Sequence, residues 1–297
     1  MTSGGNINHC KTTGRWRAAW LALILPLALT PGLSGCAISR HILYSPRAEA
    51  PAAIVWAGQA PQTLTVTTKD RLALRGYFWP GAAGDPDIIV YFHGRNWNAA
   101  MGAEMAQYLA GAGNAVLVAS YRGFGANPGQ PTEKGLLRDA AAFIAKARAL
   151  AGPDGRIWLV GHSLGSAVAL HAAALDGQVN GVIAMSAFTR IAEGAPHRLR
   201  GLIPDRWNNL DPIRRLTIPV LLVQGARDGI IPKDSGDRLL AQATMSTRLV
   251  VGAESYHNPD MKRIAPWLNQ VIANMAQAPA APLPSPPEGW TEKARNP

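Results

Sequence analysis

The sequence predicts an α/β fold: an open, mostly parallel eight-stranded sheet with an antiparallel start, helices on both faces and a small cap. Three observations carry this reading. Six short runs are continuously apolar, as strands covered on both faces are: Ile88–Phe92, Ala115–Ser120, Ile157–Val160, Gly181–Ser186, Val220–Gln224 and Thr247–Val251. Two earlier runs, Thr63–Thr68 and Leu72–Trp79, alternate in polarity and are joined by Lys69-Asp70-Arg71, which is the pattern of an antiparallel hairpin. Helical segments fall between the apolar runs: Ala100–Gly111, Glu133–Leu150, Ser166–Leu175, Lys233–Ala243 and Asp260–Ala276.

The N-terminal segment, residues 1–35, stands outside that pattern. Lys11, Arg15 and Arg17 precede an apolar stretch from Ala18 to Leu29, which is of signal-peptide length and too short to span a membrane comfortably. It ends in Leu33-Ser34-Gly35-Cys36, which resembles the bacterial lipobox. The resemblance implies cleavage before Cys36, lipidation of that cysteine, and anchoring in the bacterial envelope, in two-membrane bacteria at the outer membrane facing the periplasm. The only other cysteine is Cys10, so a processed chain holds no disulfide pair and must be stable through its core. Acyl chains on Cys36 would supply the anchor, at roughly 0.8 kcal/mol for each buried methylene.

The body has globular composition, 47% hydrophobic and 16% charged, with a formal net charge of +10. Its basic residues are scattered rather than clustered, so nothing marks a nucleic-acid footprint. Residues 36–60 mix Pro, Ala and polar residues without a period and read as a tether. Residues 61–276 form the domain, and the proline-rich stretch 277–297 reads as a disordered tail. No internal repeat interrupts this order.

Chemistry enters at Gly161-His162-Ser163-Leu164-Gly165, a G-x-S-x-G sequence lying where the fifth strand passes directly into a helix. So tight a corner needs glycine at positions 161 and 165. It strains Ser163 and projects its hydroxyl over the carboxyl ends of the strands. A serine hydroxyl is a weak nucleophile and needs a base oriented by a third group. His257, after the last strand, is the only histidine downstream of the seventh, and Asp228 follows the seventh strand directly. Asp234, Asp237 and Glu254 are rival acids, and Asp228 could instead close a turn or cap a helix. His162 is expected to pack or hydrogen-bond beneath the site. The oxyanion of a tetrahedral intermediate needs backbone donors: Leu164 N–H from the corner itself, and Arg95 N–H from Tyr91-Phe92-His93-Gly94-Arg95-Asn96-Trp97-Asn98, with His93 anchoring that loop.

Five motifs occur in order: YFHGRNWN (91–98), SYRGFGANPGQPTEKGLLRDA (120–140), GHSLG (161–165), PVLLVQGARDGIIP (219–232) and YHN (256–258). Together they make the chain resemble α/β-hydrolase serine hydrolases, in the small-capped branch that includes acyl-protein and lysophospholipid hydrolases. The resemblance implies a Ser163–His257–Asp228 triad, an acyl-enzyme intermediate and cleavage of carboxylic ester or thioester bonds. It departs at Arg95 and Trp97, where small residues are usual, and at Glu254-Ser255-Tyr256, where glycines usually precede the histidine. Neither a metal nor an organic cofactor is expected, since no H-E-x-x-H spacing or dinucleotide fingerprint is present.

Residues 187–218 fall where a cap is inserted and carry Phe188, Trp207 and the basic set Arg190, His197, Arg198, Arg200, Arg206, Arg214 and Arg215. With Trp97 and Phe124, the aromatics are candidate acyl-binding residues, while the arginines would face an anionic head group or membrane. The plainer alternative makes the aromatics core and the arginines a solvated face. Two other functions share the sequence pattern: a peptidase or amidase using the same triad, and an envelope binding protein without turnover.

Overall fold

A computed structural model describes residues 35–47, 53–82, 87–194, 197–243, 247–278 and 281–294. The expected signal segment therefore lies outside the described residues, apart from Gly35. The sheet has nine strands: β1 (Gln62–Thr67), β2 (Ala73–Trp79), β3 (Asp87–Phe92), β4 (Ala115–Ala119), β5 (Arg156–His162), β6 (Gly181–Met185), β7 (Val220–Gly225), β8 (Thr247–Gly252) and β9 (Trp290–Ala294). Their spatial order is β1-β2-β4-β3-β5-β6-β7-β8-β9. The pairs from β4 to β8 are parallel, while β1–β2, β2–β4 and β8–β9 are antiparallel.

Every residue of β3, β4, β6 and β7 is buried, which is why these runs are apolar except for Asp87 and Gln224 near strand ends. Alternate residues serve two cores. Ile88, Val90 and Phe92 face one, with Leu136 and Phe143 of α3 (Glu133–Ala151) and Val168 and Leu170 of α4 (Leu164–Asp176). Ile89 and Tyr91 face the other, with Leu109 of α2 (Ala99–Ala110) and Ile264 and Leu268 of α7 (Met261–Gln277). Side chains cap the starts of α2 and α3. Asn98 Oδ1 accepts the Met101 amide, and Thr132 Oγ1 accepts the Gly135 amide. A left-handed Gly177, φ 69°, ends α4.

Both chain ends depart from expectation. The 36–60 tether contains α1 (Gly35–Tyr44), and Leu43 and Tyr44 at its end are buried in the core, because an amphipathic turn meets an apolar recess beside Phe124 and Trp207. Within the 277–297 stretch, the described residues 281–294 pack on the domain instead of forming the expected disordered tail. Pro284 accepts a hydrogen bond from Trp267 Nε1, and β9 then adds to the edge of β8, with the Trp290 ring over Gly252. Gly252 has no side chain to displace that indole, which is how a proline-rich segment gains a ninth strand. The cap region between β6 and β7 is small: two 3-10 turns (Ile191–Gly194 and His197–Leu202) and α5 (Leu210–Ile213). α6 (Ser235–Gln242) follows β7.

Candidate active site

Ser163 alone links β5 to α4, with φ 54° and ψ −114°, outside the regions open to most L-residues. The flanking glycines allow it. A Cβ on Gly161 would run into the Gly165 carbonyl, and one on Gly165 into the Phe92 carbonyl at the end of β3. The Ser163 amide donates to Met185 O of β6 at 2.9 Å. The side chain makes no capping bond to α4, and the residue is partly exposed. The hydroxyl is therefore held out over the strand ends by backbone geometry.

His257 lies in the loop after β8, and its Nδ1 stands 2.9 Å from Asp228 Oδ2. The other carboxylate oxygen, Oδ1, accepts the amides of Ile230 and Ile231 at 2.8 and 3.0 Å. Asp228 thus closes a turn and orients the histidine at once. Burial pushes its carboxyl up, but the hydrogen bond from His257 and the two amides outweigh this and hold it below the usual carboxylate value. A carboxylate only accepts, so Nδ1 of His257 carries the proton and the lone pair of the neutral ring sits on Nε2. The rival acids are engaged elsewhere: Asp237 with Lys293, Glu254 with Arg227, and Asp234 with Arg238.

His162 brings the two halves together. Its ring centroid is 5.0 Å from that of His257, and its Nε2 donates to the His257 carbonyl at 2.9 Å. Burial, and then the neighbouring His257, depress its pKa to about 3, so it stays neutral. It is a support beneath the site, as expected. Ser186 Oγ donates to the same carbonyl at 2.7 Å from a left-handed backbone, φ 50°. Sequence reasoning placed Ser186 within a strand and gave it no role. The signal was a lone hydroxyl closing an otherwise apolar buried run.

Gly94 lies against the serine corner: a Cβ there would stand 3.2 Å from His162 Nδ1 and 3.5 Å from Ser163 Cβ. Arg95 follows it, and Leu164 opens α4 with an amide that has no intrahelical acceptor. Of the two expected oxyanion donors, Leu164 thus follows Ser163 in the chain, and Arg95 follows the Gly94 that lies against the corner. His93 is fully buried, with its pKa lowered by burial to about 4, and its Nδ1 donates to Gly94 O at 2.8 Å. Tyr121 OH donates to His93 O at 3.0 Å. Arg122 supports this arrangement from outside, binding Asp139 of α3 and Asp70 of the β1–β2 turn.

The expected acyl-binding aromatics divide. Phe124 and Trp207 are fully buried and Phe188 nearly so, all three packed in the core; a core ring offers no open surface, so their substrate role is corrected. Trp97 is partly exposed and stacks on His162, centroids 4.9 Å apart and planes at 18°. Of the cap arginines, Arg190 pairs with Glu193, Arg214 Nε donates to Gln242 and Arg215 Nε to the Asp211 carbonyl. These three make intramolecular contacts rather than standing as an unpaired basic face. Among the described residues, no group of three or more His, Cys, Asp or Glu side chains could hold a metal ion.

Comparison with known proteins adds four likenesses. The profile of the serine aminopeptidase S33 family matches residues 85–212. The protein Rv2307c of Mycobacterium tuberculosis is 34% identical over 227 residues, 74% of this chain and 80% of its own length. Among solved structures, an α/β hydrolase from Vibrio vulnificus superposes with a TM-score of 0.66 at 18% identity, covering 83% of this chain and 94% of that one. Est1E from Butyrivibrio proteoclasticus, bound to ferulic acid, does so with a TM-score of 0.59 at 18% identity, over 73% and 100% of the respective chains.

Proposed function

This chain belongs to the α/β-hydrolase family, and from that premise we propose that it cleaves carboxylic ester or thioester bonds through a covalent acyl-enzyme. One observation carries the reading: Asp228 and His257, 29 residues apart, share a 2.9 Å hydrogen bond, and His257 packs on His162, the chain neighbour of the strained Ser163. Ser163 Oγ attacks the carbonyl carbon while His257 Nε2 takes its proton, and Asp228 stabilises the resulting imidazolium. The Leu164 and Arg95 amides receive the oxyanion. The tetrahedral intermediate collapses, and His257 returns the proton to the leaving alcohol or thiol. His257 then draws a proton from water, the hydroxide attacks the acyl-serine, and the acid leaves as Ser163 regains its proton. Trp97, the partly exposed aromatic beside His162, is the side chain placed to meet the acyl group.

A likeness in fold to an esterase bound to ferulic acid supports the ester reading. The match to the serine aminopeptidase profile favours a second, amide cleavage by the same residues. Parallel turnover of p-nitrophenyl esters and aminoacyl anilides separates them, with fluorophosphonate labelling of wild type and Ser163→Ala as the common control. Ester turnover with labelling lost in Ser163→Ala supports the proposal. Labelling of neither protein returns the chain to a binding role. For location we propose a lipid anchor on Cys36 at the bacterial envelope. Cys36→Ser should move the protein from the membrane fraction to the soluble one.

A further inference from the structure

The oxyanion loop is held from two sides, and one of them is the N-terminal segment that the sequence presents as a tether. On the inner side, Tyr121 OH binds His93 O, and the His93 ring packs against Tyr121 and Phe124 at 4.5 and 5.4 Å between centroids. On the outer side, the end of α1 supplies a row of acceptors. Tyr44 O accepts the Asn96 amide at 3.3 Å, and Leu43 O accepts Arg95 Nη1 at 3.1 Å. Arg47 O accepts the Gly125 amide at 3.0 Å. Residues 43 and 44 therefore grip the Arg95 side chain and the peptide that follows Arg95. The peptide bearing the Arg95 amide is the one before it, Gly94–Arg95, whose carbonyl takes His93 Nδ1 from the inner side at 2.8 Å, so Arg95 is held at both ends. Asn96 is left-handed, φ 61°, a conformation asparagine takes more readily than most residues, and its amide is turned onto Tyr44 O.

Tyr44 is itself fixed. Its hydroxyl donates to Asp205 Oδ2 at 3.0 Å and accepts Trp207 Nε1 at 3.1 Å, while Arg40 Nε binds the same carboxylate oxygen at 3.0 Å. Chain 161 residues away in sequence thus clamps the tether's end.

We infer that Tyr44, with the backbone of residues 43–47, is a positioning element of the hydrolytic site: it aims the oxyanion amide of Arg95. The inference rests on the proposed triad reading. It implies that the segment joining the body to its expected anchor takes part in setting turnover.

The test uses Tyr44→Phe, which keeps the ring and the carbonyl but removes the hydroxyl's own bonds to Asp205 and Trp207, and Arg95→Met, which removes the bond to Leu43 O and leaves the backbone amide. In the full chain, kcat on a short p-nitrophenyl ester should fall roughly tenfold to a hundredfold in each, with KM within about twofold. Affinity for a boronic acid, which mimics the tetrahedral adduct, should fall by the same factor. Wild-type kcat in both variants overturns the inference, as does a change confined to KM. If Tyr44→Phe does not fold, Arg95→Met decides. Should Ser163→Ala retain full turnover, the triad reading itself fails. Loss in Ser163→Ala with no loss in either variant defeats the positioning role alone.

Discussion

The serine corner at 161–165 and the histidine loop at 252–258 hold the two proposed reacting groups by different physics. At the corner the constraint is steric. Gly161 and Gly165 let backbone cross backbone, Ser163 occupies a strained conformation, and no hydrogen bond caps its side chain. The histidine loop also crosses a glycine, Gly225, but its side chain and carbonyl are then fixed by polar partners: Asp228 on Nδ1, His162 and Ser186 on the carbonyl. A sterically placed group should fail together with its fold. A hydrogen-bonded one should lose function while the fold survives.

The sharpest contrast removes the reacting atoms themselves. Ser163→Ala should lower kcat roughly 10⁴-fold or more with the melting temperature preserved, because its hydroxyl supports nothing else. Asp228→Asn should cost about 10³- to 10⁴-fold. An amide can still accept the Ile230 and Ile231 amides, but it can no longer stabilise the imidazolium. Turnover of p-nitrophenyl esters and thermal melts check both. Near-wild-type turnover in Ser163→Ala would place the nucleophile elsewhere.

Gly165→Ala breaks the comparison from the other side. Its methyl group would meet the carbonyls of Phe92 and His93, neither of which can move without displacing β3. The expected loss exceeds about 4 kcal/mol, beyond what most single substitutions cost, and shows as insoluble protein or a collapsed melting temperature. Soluble, active Gly165→Ala would mean that the corner is not sterically set.

Acidification probes the neutral supports. His162 and His93 have folded pKa values of about 3 and about 4, depressed by burial from an unfolded value near 6.5. Below roughly pH 6.5 the unfolded chain binds protons that the folded chain refuses, so stability is complete above that value and falls progressively towards pH 4. Asp228 acts in the same direction at lower pH. Its depressed carboxyl gives stability present above the unfolded carboxylate value and lost as pH falls through the folded one. Melting temperatures across pH 4–8 should fall on the acid side, with a shallower slope in His162→Gln.

Much of this site is legible in the sequence because its parts obey local rules. The eight predicted strands form within two residues of their expected ends, since continuous apolar runs have one comfortable place in a two-faced sheet. Ser163, Asp228 and His257 follow from strand ends and chain order. Legibility fails where long-range contacts outweigh composition. Tyr44 sits in a stretch without periodicity and is ordered by Asp205 and Trp207. Trp290 follows a proline run and is captured by Gly252. Phe124 and Trp207 look like ligand-binding aromatics in a loop and a cap, yet their rings fill the recess that the N-terminal segment closes. Such partners are invisible without the fold.

The smallest effect separates strain from hydrogen bonding at Ser186. The residue combines a left-handed backbone, φ 50°, with a 2.7 Å bond to the His257 carbonyl. Ser186→Ala keeps the strain and loses the bond, so it should cost roughly 1 kcal/mol of stability and about fivefold in kcat. Ser186→Gly loses the same bond but adopts positive φ freely, so it should recover part of that stability and none of the turnover. The effect stays small because His162 still holds the carbonyl from its other side at 2.9 Å. Equal kcat in wild type and both variants would show that one donor suffices to place His257. A kcat that returns in the glycine variant would instead assign the effect to backbone strain, and the histidine loop would then resemble the serine corner more than it differs from it.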